Sequence, residues 1–334
     1  MKRELPGICF IGCGKIVEKH SKILKTLFPE IKLSFASRDS SKAAEYKMKF
    51  KGLRSFGSYE EALISDSYNI AFITTPHAFH SGLAVLAADN KKDIIIEKPA
   101  ARNIGELQKI IKAVQKNNVR CAVAENYYYK PAVKIISNHI NNGMIGSPLF
   151  IELNKTNSDP VSGWRTDAEM MGGGALLEGG VHWINALVSI AGADPVEVIA
   201  LTPDVKYETN IPFEDSILLC VKFANGVVGK LLHSWKIPNP LKGIGISKVY
   251  GTDGIITFES NGLYVSLRGK KNKISFINPL YFLGFKAMHK EFIEAYMHGI
   301  EWRPSLSRIE TELKLIEAAY KSLKTNRFEI VKSG

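Results

Sequence analysis

The chain has 334 residues, more than one ordinary domain needs, and its apolar content of 45% with 23% charged residues is that of a soluble globular protein with material for two cores. A net charge of +11 raises nucleic acid as a partner, but the lysines are scattered over many predicted helix faces and no basic run is interleaved with aromatics. The charge therefore reads as a solvated basic surface, to which an anionic cofactor or substrate contributes, with no nucleic acid and, for want of a long apolar run, no membrane.

Gly7-Ile8-Cys9-Phe10-Ile11 predicts a strand, Gly12-Cys13-Gly14 a turn, and Lys15-Ile16-Val17 the start of a helix reaching about Leu27. The apolar run behind Met1-Lys2-Arg3 is too short for a signal peptide. The four cysteines, Cys9, Cys13, Cys121 and Cys220, have neither CxxC spacing nor a paired framework, which fits a reducing compartment, and a cytoplasmic protein is expected. Gly12 allows the tight turn, and Gly14 lets a pyrophosphate approach the helix N-terminus. Val17 stands at the third position, where Gly or Ala is usual.

The alternation continues. Strands are predicted at 31–36, 70–74, 94–97 and 121–124. Helices are predicted from Ser40-Ser41, as cap, to about Lys51, from His80 to about Asp89, and from a cap at Asn103 to Asn117. Strand and helix in alternation imply a doubly wound parallel sheet with right-handed crossovers over residues 1–125, an α/β dinucleotide-binding domain. At the tip of the second strand, Ser37 stands where a ribose-binding acid would be, and Arg38 offers a planar partner for phosphate. NADP is thereby favoured over NAD, with Asp39 still free to turn inward.

Ile94-Ile95-Ile96-Glu97-Lys98-Pro99 is the stretch around which the domain is organised. Three β-branched residues read as a buried strand, and ligands of open α/β sheets lie just beyond the carboxyl ends of such strands. The plain alternative makes Glu97 and Lys98 the first solvated residues after a strand.

From Asn126 the alternation breaks down. A helix is predicted over 131–142, a strand over 149–155, and a helix from about Gly174 to Ala191. Further strands follow over 196–201, 216–223, 227–235, 248–251, 255–258 and 263–267, and helices over 285–298 and 305–324. Asn225-Gly226 between two alternating runs marks a hairpin. Residues 126–334 thus predict an α+β domain on a large mixed or antiparallel sheet with helices on one face.

Together these pieces resemble the Gfo/Idh/MocA oxidoreductases, named for glucose-fructose oxidoreductase and inositol dehydrogenase. The resemblance runs through Gly12-Cys13-Gly14, Thr75-Pro76-His77-Ala78-Phe79-His80, Glu97-Lys98-Pro99 and Glu125-Asn126-Tyr127-Tyr128-Tyr129-Lys130-Pro131. It continues through Gly163-Trp164-Arg165, Gly172-Gly173-Gly174-Ala175-Leu176-Leu177-Glu178-Gly179-Gly180-Val181-His182 and Phe223-Ala224-Asn225-Gly226. It implies an NAD(P)-binding Rossmann domain followed by a domain for substrate binding and oligomerisation. Lys98 is implied as the catalytic lysine, with Glu178 and His182 beside it. Cofactor contacts are implied for Gly12, Cys13, Gly14, Lys15, Ile16, Ser37, Arg38, Thr74, Thr75, Pro76, His80, Glu97, Lys98, Asn126, Trp164 and Arg165. Three positions depart from the family's habit: Glu178 stands for Asp, Asn185 for a second acid, and His77 for Asn. Relatives pair their C-terminal sheets between subunits, which implies a homodimer or homotetramer.

Glu178 and His182, four residues apart, share one face of a helix. A zinc site on this pair would need a third ligand such as His77 or His80, and no metal is expected. The chemistry expected is hydride transfer between nicotinamide and a hydroxyl-bearing carbon of a sugar or polyol, with His182 as base and Lys98 steadying the alkoxide. Glu178 would bind a neighbouring hydroxyl or fix the imidazole. Tyr127 and Tyr129, sharing a face of extended backbone, would line the substrate side, with Tyr128, Lys130, Trp164 and Arg165 near the rim. Lys130, Arg165, Lys236 and Lys242 hint at an anionic substrate. Two other readings stay open: a nucleotide-binding sensor without turnover, and NAD-dependent glycoside cleavage with the cofactor recycled.

Overall fold

The computed structural model describes residues 4–159, 161–205, 212–239 and 243–332, so the readings of Met1-Lys2-Arg3 and Lys242 lie outside the described residues. The chain divides into two compact units: residues to Glu125 together with Phe285–Ile309, and Asn126–Gly284 together with the chain from Glu310 onward.

The first unit is built on a six-stranded sheet. Its strands are β1 (Gly7–Ile11), β2 (Lys32–Ala36), β3 (Ser55–Phe56), β4 (Ile70–Ile73), β5 (Asp93–Ile96) and β6 (Cys121–Val123), in the order β3-β2-β1-β4-β5-β6. All the pairings are parallel. This is the doubly wound order in which ligands sit beyond the carboxyl ends of the strands. The register aligns those ends, with Ile11 opposite both Ala36 and Ile73, and Ile96 opposite Ile73 and Val123. Gly12, Ser37, Thr74 and Glu97 therefore leave the sheet at one edge. Phe10 stacks between Phe35 and Phe72 with centroids 5.7 and 5.1 Å away, so the core lies directly under that edge.

Helices α1 (Lys15–Leu27), α2 (Ser40–Lys49), α3 (Tyr59–Ile64), α4 (His80–Asp89) and α5 (Ile104–Asn117) complete the alternation. Asn103 caps α5 as its sequence predicts, its side chain accepting the Glu106 N–H. The cap of α2 is Asp39 and not Ser40: the Asp39 carboxylate accepts the N–H groups of Ser41 and Lys42. A carboxylate is the stronger acceptor for these orphan donors. β3 and α3 are additions to the expected elements.

The expectation that residues 126–334 form the second domain differs from this division in one segment, Phe285–Ile309. The helix Phe285–His298 belongs with the first unit, where it packs on α1. Its buried residues Met288, His289, Phe292, Ile293 and Tyr296 recur every three to four positions, one apolar stripe that must be covered.

The second unit holds a nine-stranded sheet. In chain order its strands are β7 (Pro148–Thr156), β8 (Pro195–Leu201), β9 (Ser216–Phe223), β10 (Val228–Ser234), β11 (Ile246–Gly251), β12 (Gly254–Glu259), β13 (Tyr264–Arg268), β14 (Lys273–Phe276) and β15 (Glu329–Ile330). The order is β14-β13-β12-β11-β7-β10-β9-β8-β15, antiparallel except for β7 beside β10. Gly226, at φ +86°, turns the β9–β10 hairpin. α6 (Pro131–Asn141) and α8 (Val181–Ala191) cover one face, where Ile151, Leu153, Leu219, Val221 and Leu231 are buried. A short helix, α7 (Ala168–Met171), precedes the glycine-rich segment. The single helix expected from Gly174 to Ala191 is instead a π-helical turn, Leu176–Gly180, that runs into α8. No helix among the described residues is long and apolar enough to cross a membrane.

Candidate active site

In the first unit the site begins at the β1–α1 turn. Gly12 has φ +109°, and a Cβ there would come within 3.0 Å of the Thr74 carbonyl, so no other residue fits. The Thr74 hydroxyl donates to the carbonyls of Gly12 and Ile11, at 2.8 and 3.2 Å, and so holds the turn from beneath. Gly14 is the N-cap of α1 and offers no side chain to it, while a Cβ on Gly14 would meet nothing nearer than the Thr74 oxygen at 4.0 Å. The result is an open cradle over the uncapped N-terminus of a 13-residue helix, which suits an anionic group. Thr75 adds a buried hydroxyl with no hydrogen-bond partner among the described residues. These features fit the diphosphate of a dinucleotide.

Other predicted cofactor residues divide by what they touch. Ser37 is buried, and its hydroxyl accepts the Asp39 N–H at 3.1 Å. Arg38 lies with its guanidinium carbon 5.3 Å from the centre of the Phe79 ring. Lys15 and Ile16 form the first turn of α1, and Pro76 precedes a 3₁₀ turn at His77–Phe79. Cys13 is buried, its thiol donating to the Ala36 carbonyl, and burial pushes its pKa up to about 12. It ties the turn to the end of β2.

Both ring nitrogens of His80 are engaged within the fold. It is fully buried, with Nδ1 2.8 Å from the Pro99 carbonyl and Nε2 2.9 Å from that of Thr75. One imidazole thus ties the loop after β4 to the loop after β5. Burial pulls its pKa down against the pull of the two carbonyls.

Lys98 follows directly from β5. Glu97 still pairs in the sheet through its N–H to Ile73, at 2.9 Å. Its Oε2 accepts the Lys98 N–H at 3.1 Å, and its Oε1 lies 2.6 Å from His20 Nε2. The Lys98–Pro99 peptide is cis.

In the second unit the centre is His182, in the first turn of α8. The Tyr127 ring stacks on it at 4.5 Å with planes 12° apart and meets Trp183 edge-on at 5.4 Å. The buried Lys130 places its ammonium 3.9 Å from the Tyr127 ring centre. Residues Asn126–Tyr129 form a 3₁₀ turn and not extended backbone, so the expected alternation fails. Tyr129 points into the core with 1% exposure and lines no site. Asn126 is also internal, its amide donating to the Leu283 carbonyl at 2.6 Å.

Glu178 sits within the π-helical turn, a local widening found frequently at functional positions. Its Oε1 accepts Arg165 Nε at 3.0 Å, and the Arg165 guanidinium lies over the Trp164 ring at 4.7 Å. The longer side chain of Glu178 therefore reaches an arginine, and Trp164, Arg165 and Glu178 form one cluster.

Four supporting residues escaped sequence reasoning. His233 of β10 lies under Gly179 and Gly180, where Cβ atoms would come 3.1 and 3.3 Å from its ring. Glu214 and Tyr320 hold the glycines before the π-helical turn: Glu214 Oε1 accepts the Leu176 N–H at 2.9 Å, and Tyr320 donates to Glu214 while accepting the Gly174 N–H. Burial pushes the Glu214 carboxyl up to about 7. Glu312 accepts the amide of Asn185 at 2.7 Å, setting a buried carboxylate beside that side chain. The run of glycines was the available signal, since adjacent glycines mark close approach by another group.

Comparison with known proteins finds two matching family models: "Oxidoreductase family, NAD-binding Rossmann fold" over residues 7–125, and "GFO/IDH/MocA C-terminal domain" over 133–257. D-xylose 1-dehydrogenase [NADP(+)] of Haloarcula marismortui is 30% identical over 53% of this chain, and the chain spans about half of that enzyme, 52%. Levoglucosan dehydrogenase of Pseudarthrobacter phenanthrenivorans is 26% identical over 83% of this chain and 76% of its own length. The trans-1,2-dihydrobenzene-1,2-diol dehydrogenase of Mus musculus is 25% identical over 94% and 95%. A solved structure of levoglucosan dehydrogenase in complex with NADH has a TM-score of 0.87 at 22% identity, covering 98% of this chain and 99% of that one, and shares the fold.

Proposed function

The chain belongs to the Gfo/Idh/MocA family of oxidoreductases, and on that premise we propose that it is an NAD(P)-dependent dehydrogenase or reductase acting on a hydroxyl-bearing carbon of a sugar or polyol. The observation that carries this reading is the Glu97–Lys98 turn, which leaves the sheet at the same edge as the Gly12–Gly14 cradle.

A bound nicotinamide supplies the hydride acceptor or donor. His182 takes the hydroxyl proton in the oxidative direction, as an imidazole does near neutral pH, and Tyr127 holds its ring by stacking. Lys98 carries positive charge to the oxygen that becomes an alkoxide. Glu178 acts through Arg165, orienting a guanidinium towards a substrate hydroxyl or carboxylate. The relatives' names, D-xylose and levoglucosan dehydrogenase, support sugars as the class to test first.

The cofactor we favour is NADP. Asp39 is committed to capping α2, which leaves Ser37 and Arg38 to meet a 2′-phosphate. A second copy of the chain would cover the sheet face bearing Phe150, Leu218 and Leu232, giving a homodimer or homotetramer measurable by sedimentation.

The test is a fluorescence titration with NADPH and NADH, then a sugar and polyol screen read at the reduced nicotinamide band. Turnover of at least one sugar is expected. Tight binding without turnover of any would overturn the enzyme reading in favour of a sensor, and release of free sugar without net reduction would indicate glycoside cleavage.

A further inference from the structure

Two buried histidines stand behind Glu97 and have no place in the chemistry above. His20 lies on α1 and His289 on the helix Phe285–His298, and both are essentially free of solvent. His289 Nε2 is 2.8 Å from His20 Nδ1, and His20 Nε2 is 2.6 Å from Glu97 Oε1. Phe72 and Phe285 close around His20 with ring centres 4.7 and 5.7 Å away, and Phe72 lies 6.2 Å from His289. In this aromatic enclosure each polar atom depends on its protein neighbour.

The order of atoms constrains the protons. An ionised Glu97 accepts only, so His20 must donate from Nε2. His20 Nδ1 then either accepts from His289 Nε2 or, if His20 is charged, donates to it. Burial and the neighbouring imidazole hold His289 well below the ordinary histidine range, so it stays neutral, and its Nε2 faces His20 as either the donor or the acceptor of that one bond. In both cases His20 keeps its Nε2 proton on Glu97, and His289 fixes the rotation of the ring that carries it.

We propose that His20 and His289 are positioning residues for the Glu97–Lys98 turn: His289 orients His20, and His20 holds the Glu97 carboxylate so that its second oxygen stays on the Lys98 amide. The functional half of this proposal rests on the reading of Lys98 as catalytic and Glu97 as a cofactor contact. A residue far along the chain thereby completes the loop after β5.

The test uses the full chain, with NADPH as probe. Glutamine keeps much of the volume of histidine, so His289→Gln should fold. Its affinity for NADPH should fall by about tenfold, the weight of one hydrogen bond to a charged group. His289→Gln added to Glu97→Gln should cost nothing further, because His289 acts only through Glu97. Unchanged affinity in His289→Gln, or equal losses in the two backgrounds, would overturn the proposal, since a purely structural histidine gives additive effects. A wild-type chain that binds neither NADPH nor NADH would instead overturn the proposed function. The hydrogen-bonded chain is then judged by nitrogen-15 spectra of histidine-labelled protein. Glu97→Gln and His289→Gln should each move the His20 ring signals, and signals unmoved by both would remove the chain itself.

Discussion

The Asp39 carboxylate accepts the backbone N–H of Ser41 at 3.0 Å and its hydroxyl at 2.6 Å, so the one acid at the tip of β2 is turned into the following helix. The consequence is a separation of duties between neighbours. Asp39→Ala should cost about 1 kcal/mol of stability, the usual weight of a lost N-cap, and leave the preference between NADPH and NADH unchanged. Arg38→Ala should weaken NADPH binding by about tenfold or more while sparing NADH, as expected when a charge-assisted pair is removed. Parallel titrations and melting curves distinguish the two outcomes. Loss of NADH binding in Arg38→Ala would contradict the assignment.

The two glycines of the β1–α1 turn should also part company. Gly12→Ala places a Cβ against the Thr74 backbone at a positive φ, and should lower stability by about 1–3 kcal/mol. Gly14→Ala meets only open space and should melt like the wild type, yet lose nucleotide affinity because its methyl group occupies the cradle. Calorimetry and cofactor titration on the same samples provide the comparison.

Lys98→Met should abolish turnover and keep cofactor binding largely intact. His182→Ala should reduce kcat by about 10²–10⁴-fold, the range for a lost general base. Glu178→Gln should act more mildly, through a loosened Arg165, and a double-mutant cycle with Arg165→Met should couple the two by less than about 1 kcal/mol, given how exposed the arginine is. Near-normal turnover in Lys98→Met or His182→Ala would reject the mechanism.

Stability should vary with pH in a way that one substitution alters. The Glu214 carboxyl has an ordinary value of 4.5 and sits at about 7 in the fold. The native state therefore holds this proton more tightly than the unfolded chain. The stabilisation is complete below about 4.5 and is lost as pH rises through about 7, at up to about 1.4 kcal/mol per pH unit. His80 works in the opposite sense: its depressed value means that the unfolded chain gains a proton first, so stability falls as pH drops below about 6.5. Glu214→Gln mimics the protonated acid and keeps an acceptor for Leu176. It should melt several degrees above the wild type at pH 8 and close to it at pH 5. Equal melting differences at both pH values would show that Glu214 does not titrate in this range.

Legibility followed sequence distance. Gly7–Ile11 and Ile94–Ile96 were readable because short apolar runs bounded by glycine or by charge read as buried strands, and Asn103 because a cap is a local arrangement. Ser58 with Glu61 has the spacing of a capping box, and the Ser58 hydroxyl does accept the Glu61 N–H, yet a six-residue helix gives too little periodicity to announce itself. Tyr129 was misplaced because alternation holds only for extended backbone, and the turn at Asn126–Tyr129 removes it. The π-helical turn around Glu178 has no sequence period to detect. His20 and His289 stand 269 positions apart, and no pattern along the chain connects them.

The helix Phe285–His298 also sets an order of assembly. During synthesis the six-stranded sheet can form once Val123 has emerged, but the side of α1 that carries His20 stays bare until the whole stretch from Asn126 to Gly284 has followed. The first unit is therefore begun first but finished only after Asn126–Gly284, the larger segment of the second unit, has been made. A fragment ending at Glu125 would leave His20 and Phe72 without their cover from Phe285 and His289, and should be a sticky, incompletely closed species awaiting the rest of its own chain.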